Sequence, residues 1–371
     1  MKIKFKLIFL IALLSIIQLQ QSQWNLTSVF DFLRGEMIVG ENPTDKPKVI
    51  DLSNVVKVFG IDEIPSIKVY KPVTMKAVGD IMLSREVGRK IVKAGDWKHS
   101  FLNVGEFLAD SDITLANLET TVFKGRKIGA YEMSFRSEPE VLEGVKYAGI
   151  DIVSLANNHT YNFGEQGIIK TMQHLNAENI QYCGAGVNET EARQPAIIEK
   201  NGVTFAFLCY NDTDVVPDYT FASETKAGTA ELVKEDMITD VKKLVDGVDF
   251  IIVSMHSGHE YHKLPNKKQK EFAKAAIDSG AKVVIGHHPH VLQPVEYYND
   301  GIIMYSLGNF IFDQVGVWQN RGVIANLTFD KNEYSVKAEF TPTKITDYSK
   351  VHIETDEIAK KATLDRLVMP K

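Results

Sequence analysis

The sequence predicts an α/β fold, and three observations carry that prediction. Apolar runs of strand length alternate along the chain with longer, helix-like segments. Several of those runs are continuously apolar, which is the pattern of strands buried on both faces. The chain has 371 residues, 44% of them hydrophobic, enough to bury a sizeable core.

The elements follow in order. Lys2, Lys4 and Lys6 precede an apolar stretch from Leu7 to Ile17, and a Gln-rich run to Gln23 follows. Residues 1–22 therefore read as a secretory signal or membrane anchor, and the protein is expected outside the cytoplasm, secreted or membrane-held. Residues 23–74 carry Pro43, Pro47, Pro65 and Pro72 and read as a linker with peripheral strands at Lys48 to Val58 and Ser66 to Tyr70. The regular body spans 75–315. Its strands include Ile113 to Ala116, Asp151 to Leu155, Phe205 to Leu208, Phe250 to Val253 and Val283 to Ile285. Its helices include Pro139 to Tyr147, Gly164 to Leu175, Glu231 to Val245 and Asn266 to Ser279. Such alternation predicts a sheet covered by helices on both faces. Val291 to Tyr297 and Ile302 to Ser306 read as a meander. From 316 to 371, alternating segments such as Tyr334 to Phe340 predict a β-rich C-terminal extension.

Cys183 and Cys209, the two cysteines, lie in strand-like contexts and read as buried apolar residues. A disulfide requires their strands to be neighbours. The net charge of -6 argues against nucleic acid as a partner, because phosphate backbones reward basic patches.

In open α/β sheets ligands sit beyond the carboxyl ends of strands. Those ends deliver Asp80, then Asn117 and Glu119, then Asn157-Asn158-His159, then His256, then Gly286-His287-His288-Pro289-His290. The last stretch holds three of the ten histidines in five residues. Imidazole with carboxylate suits a divalent transition metal. Glu260 is a candidate acceptor behind His256.

These strings occur in a familiar order. Val78-Gly79-Asp80-Ile81-Met82, Ala116-Asn117-Leu118-Glu119, Ser154-Leu155-Ala156-Asn157-Asn158-His159, His256-Ser257-Gly258-His259-Glu260-Tyr261, Gly286 to Pro294 and Tyr305 to Asp313 resemble the CapA (PgsA) family of poly-γ-glutamate capsule biosynthesis proteins. That family is similar to calcineurin-like metallophosphoesterases. The resemblance implies a four-layer α/β/β/α sandwich with one or two metal ions (Mn, Fe or Zn) at one end. It implies Asp80, Glu119, Asn158, His256, His288 and His290 as ligands and His159 as the catalytic histidine, with Asn117 and His287 as further candidates. Met82 stands where the superfamily has a ligand imidazole and reads as core packing. Asn162 replaces a commonly acidic residue after the Asn-Asn-His block, which weakens a hydrogen bond there.

Three functions are open at this stage. The first is an exported, membrane-associated component of polymer synthesis or export, working with membrane synthesis proteins and an anionic polymer. The second is an extracytoplasmic metal-dependent hydrolase of phosphoesters. The third is a non-catalytic scaffold. A polyanion needs local cations to overcome the acidic mean field, and Arg85, Arg126, Lys127 and Arg136 are candidates.

Overall fold

Alternate residues of single strands enter different cores. In the strand Val203–Asn211, Val203, Phe205, Phe207 and Cys209 join one apolar cluster, while Ala206, Leu208 and Tyr210 join another. The strand Arg321–Asp330 sends Val323, Ala325, Leu327 and Phe329 one way and Ile324 the other. Side chains of a strand leave by opposite faces, so both faces are apolar only where both are covered.

The computed structural model describes residues 69–370, so the predicted signal segment and the predicted strands before Val69 lie outside the described residues. The first sheet contains β1 (Val73–Ile81), β2 (Ile113–Leu118), β5 (Ile152–Ser154), β6 (Gln181–Cys183), β15 (Asn309–Ile311), β16 (Arg321–Asp330), β17 (Ser335–Thr346) and β18 (Lys350–Ile353). Its order is β18-β17-β16-β1-β2-β5-β6, with β15 against the end of β1. The second sheet contains β8 (Ala196–Lys200), β9 (Val203–Asn211), β11 (Phe250–His256), β12 (Val283–His287), β13 (Leu292–Tyr298) and β14 (Gly301–Leu307), ordered β13-β14-β12-β11-β9-β8. Two short pairs complete the strands: β3 (Thr121–Val122) with β4 (Arg136–Ser137), and β7 (Ala185–Gly186) with β10 (Gly228–Thr229). Parallel pairing joins β1, β2, β5 and β6, and also β9, β11, β12 and β14.

Helices cover one face of each sheet. α1 (Arg85–Ala94), α2 (Gly105–Ala109), α3 (Leu142–Tyr147) and α4 (Gly164–Ala177) pack on the first sheet through Val87, Ile91, Leu108, Val145 and Ile168. α5 (Glu189–Ala192), α6 (Lys234–Leu244) and α7 (Lys267–Ser279) pack on the second through Ala192, Met237, Val241, Phe272 and Ala276. The uncovered faces meet around Phe205, Phe207, Phe250 and Phe329, with the rings of Phe250 and Phe329 5.0 Å apart. The layers run α/β/β/α. The single sheet covered on both faces, read from the alternation alone, is replaced by two sheets that cover each other.

The C-terminal strands are part of this frame. β16 runs antiparallel to β1, and β17 and β18 extend the same sheet before the helix Glu357–Leu364. The expected β-rich C-terminal segment thus supplies β16, β17 and β18 to the first sheet. Cys183 and Cys209 form a disulfide between the two sheets, with Cα atoms 5.4 Å apart, so the reading as unpaired apolar residues is replaced. β6 and β9 end side by side across the interface, which a strand-by-strand reading does not reveal.

Close approach of the strands fixes two glycines. A Cβ on Gly79 would lie 1.8 Å from the Gly308 carbonyl oxygen, and one on Gly286 would lie 2.0 Å from that of Tyr305. Gly79→Ala must push β1 away from the Gly308 turn; urea unfolding should report a loss of roughly 2–4 kcal/mol, and an unchanged midpoint would contradict this packing. The disulfide closes a loop across a sequence separation of 26 residues. Reduction should lower the thermal midpoint by several degrees, in line with about 3 kcal/mol of lost stabilisation.

Candidate metal centre

Both sheets end at one place, and their register sets the site. Asp80 lies across from Asn117 on one side and Asn309 on the other. In the second sheet His256 lies across from Asn211 and His287. Asp80, Glu119 and His256 are buried, and each offers a ligand atom within 4.8 Å of the others. His287 Nδ1 is 3.2 Å from Asp80 Oδ1, and His290 Nδ1 is 3.2 Å from Asp80 Oδ2. His290 Nε2 and His159 Nε2 lie 3.7 Å and 3.8 Å from Glu119 Oε1. The His288 ring centre is 4.9 Å from that of His256.

The loop after β12 holds its imidazoles in unusual backbone. His288 and His290 have φ of 95° and 55°, values that side chains other than glycine seldom adopt. Two hydrogen bonds stabilise this conformation: Ser257 N–H donates to the His287 carbonyl at 3.1 Å, and Tyr261 N–H donates to that of Pro289 at 2.7 Å. Strain of this kind collects at functional sites because surrounding contacts over-determine it.

Amide side chains set the ring orientations. Asn162 Oδ1 accepts the Phe135 backbone N–H at 2.7 Å, so it also accepts from His159 Nδ1 at 2.9 Å. His159 Nε2 is thereby left as an acceptor beside Glu119. Asn309 Nδ2 donates to the Gln319 carbonyl, so its Oδ1 accepts from His290 Nδ1 at 2.9 Å and leaves Nε2 free to bind. Asn157 Nδ2 donates to the Leu118 carbonyl and to Asn117 Oδ1. Asn117 Nδ2 consequently faces Asp80 Oδ1 at 2.9 Å, Glu119 Oε2 at 3.2 Å and His256 Nδ1 at 3.4 Å. Such partners fix tautomers and raise ligand basicity.

Charge is distributed unevenly. Burial pushes Asp80 toward protonation, but the imidazoles of His287 and His290 outweigh it and hold the carboxyl well below its ordinary value. Burial, followed by the nearby Asp80 charge, pushes Glu119 well above. Burial drives His159 and His288 down to about 3. His290 also resists charging because it is buried, yet Glu119 and Asp80 lift it to about 9. His256 lies well below its ordinary range through burial and the neighbouring His288.

Several atoms at this place are left over. Asp80 Oδ2, Glu119 Oε1, both nitrogens of His287 and His288 Nδ1 are buried without a hydrogen-bond partner, although some lie close to opposite charge. Buried polar atoms are almost always paired, so a cluster of orphans on one point calls for a ligand. Carboxylates with several imidazoles are the donor set of a divalent transition metal, and the residues present fit one.

Nearly all sequence candidates meet here: Asp80, Asn117, Glu119, Asn158, His159, His256, His287, His288 and His290. Asn158 Oδ1 lies 3.0 Å from His256 Nε2, so its oxygen also serves as a hydrogen-bond partner of that ring. Glu260 lies at the rim, close enough to act electrostatically on Glu119 and His290, but it does not back His256. It is exposed, it hydrogen-bonds Tyr261, and His256 has Asn117 and Asn158 as its polar partners instead. Met82 is fully buried in the core under the first sheet. Asn162 keeps the hydrogen bond to His159 that its lack of charge had put in doubt. Asn309 is a further functional residue: it lies two residues beyond the carboxyl end of β14, so the same rule applied to that strand finds it.

Residues 74–314 match the profile of the family described as bacterial capsule synthesis protein PGA_cap. The chain belongs to this family. It is 34% identical over 249 residues to the capsule biosynthesis protein CapA of Bacillus anthracis, covering 65% of this chain and 60% of that protein. It is 31% identical over 313 residues to the PGA biosynthesis protein CapA of Bacillus subtilis, covering 83% and 81%. Among solved structures it is similar to the calcineurin-like phosphoesterase YfkN of Bacillus subtilis, with a TM-score of 0.44, 13% identity, and coverage of 80% of this chain and 97% of that one.

If Asn309 orients His290 for a metal, Asn309→Ala should weaken Mn(II) or Zn(II) binding 10–100-fold by calorimetry while leaving the fold intact. Unchanged affinity would remove His290 from the ligand set.

Proposed function

We propose that this protein is an exported, membrane-associated component of poly-γ-glutamate capsule synthesis, built around a centre for one or two divalent ions of Mn, Fe or Zn. The observation that carries the reading is the convergence of Asp80, Glu119, His256 and the orphaned nitrogens of the 287–290 loop, in a member of the capsule synthesis family. The relatives' names supply the polymer, and the basic-then-apolar N-terminus supplies the location.

In this reading Asp80, Glu119, His256, His288 and His290 hold metal, with Asn158 and His287 at its edge. A divalent ion, when bound, supplies Lewis acidity toward a phosphoryl or carbonyl oxygen. The chain's own part is positional. His159, stacked on Phe135 at 3.7 Å between ring centres and tied by Nδ1 to Asn162, presents Nε2 as a proton acceptor beside Glu119. That feature favours a second reading within the same site, hydrolysis of a phosphoester outside the cytoplasm.

The test uses Asp80→Ala, His256→Ala and His159→Ala in the full chain. Removal of Asp80 or His256 should lower bound metal at least tenfold by elemental analysis and abolish polymer in cells that depend on this protein. The His159→Ala protein should keep its metal and lose polymer formation. Full capsule from all three variants would leave only a scaffold. Turnover of phosphomono- or diesters with Mn(II), lost with His159, would favour the hydrolase.

A further inference from the structure

β1 carries Asp80 into the metal centre, and five residues later the chain begins α1 with Arg85. From there Arg85, Arg89 and Lys93 recur every four residues, which sets them in a row along one helix face. The opposite face is apolar, with Val87 and Ile91 buried in the core. This row lines a cavity of about 450 Å³ whose other wall is the segment from Lys127 to Val141.

The lining is cationic. Lys127 and Arg136 join the helix row, and Glu138 is the one acid among the lining residues. Their partners differ in kind. Arg85 is clamped by both carboxylate oxygens of Asp313, and among the described residues Arg89 reaches only Glu86 on its own helix. Lys93 and Lys127 are exposed and form no ion pair among the described residues. Arg136 is 5% exposed, donates to the Phe123 carbonyl and Glu138, and keeps Nε without a partner. The floor is apolar: Val92 is 60% exposed, beside Trp97 and Ile128. A second cavity, about 420 Å³ beside α6, offers no such field, because its Arg193 is bound to Asp236 and Asp240.

The groove also adjoins the metal centre. The Arg85 guanidinium lies 4.5 Å from the centre of the Phe135 ring, and that ring stacks on His159. We infer that the α1 groove is a binding track for a polycarboxylate chain, and that Arg85 and the buried Phe135 ring fix its position beside the centre. A γ-linked glutamate polymer sets a carboxylate beside a short methylene run in each repeat, which suits a row of cations above Val92, Trp97 and Ile128. In a chain of net charge -6, this local excess of positive charge is what a polyanion requires. The inference rests on the capsule reading for the identity of the polymer.

The experiment measures retention of poly-γ-glutamate of defined length by the full chain, at about 0.1 M salt and at 1 M. The double variant Lys93→Glu with Lys127→Glu should bind roughly tenfold more weakly at low salt, from two lost attractions and two added repulsions. The difference should shrink at 1 M, where charges are screened within ~3 Å. Lys242→Glu with Lys337→Glu, an equal charge change on other elements, should bind as the unaltered protein does. Metal content should match in all three proteins. Equal retention by the groove variant and the control overturns the groove and leaves the capsule reading standing. No retention by the unaltered protein, or retention of polyphosphate in preference to the polycarboxylate, overturns the groove and the capsule reading together.

Discussion

Two carboxylates, Asp80 and Glu119, are fully buried and side by side, and the rest of the structure serves that arrangement. Taking one carboxylate out of water costs several kcal/mol, and two that repel each other cost more. The adjacent imidazoles of His287 and His290 offset this at Asp80, while Glu119 is left to rise. The environment thus separates two chemically similar groups. Cation binding is the arrangement's natural resolution, since it satisfies both carboxylates and the orphaned nitrogens at once. The glycines follow from the same constraint. Asp80 N–H donates to the Gly308 carbonyl at 3.1 Å, an approach that Gly79 permits because no Cβ intervenes.

How much of this was legible in the sequence depends on the kind of information required. Burial is written locally, and the runs around Leu115, Ile152, Phe207, Ile252 and Val284 were readable as strands for that reason. The site was readable because one rule, polar residues at carboxyl ends of apolar runs, picks out Asp80, Glu119, His159, His256 and His290 together. Pairing partners are not written locally. β1 lies between β2 and β16, and nothing near Met75 announces Leu327 as its neighbour across the sheet. Alternation alone therefore gives one sheet with a C-terminal extension, and it is the family resemblance that supplies the second sheet and the four layers.

Amide and cysteine roles were hidden for the same reason. Asn309 reaches His290 because β15 lies against β1, and Asn162 reaches His159 because the Phe135 backbone fixes its oxygen. Cys183 and Cys209 meet across the sheet interface, from strands of different sheets. Glu260 shows how a turn redirects a side chain. The Gly258 turn, with φ of 114°, carries the chain out to solvent, so Glu260 does not back His256.

The layout also joins the buried centre to the α1 groove through a single connection. Residues 80 to 85 pass from the end of a buried strand to the start of an exposed helix, so Asp80 and Arg85 are fixed relative to each other by a short stretch of well-packed chain. Ser84 Oγ donates to the Arg136 carbonyl at 2.9 Å, and Asp313 Oδ2 accepts the Glu86 backbone N–H at 3.1 Å, which anchors that stretch on two sides. Arg85 itself has φ of 47°, held by its ion pair with Asp313 and its contact with Phe135. A ligand that pulled on the helix row would act on a rigid support, because Asp313 belongs to the same chain segment as Asn309, the partner of His290. The groove and the centre are therefore tied to one pair of elements, β1 with its helix and β15 with the loop after it. Movement of one relative to the other would require breaking the Arg85–Asp313 clamp, a largely buried bidentate pair of the strongest kind that side chains form.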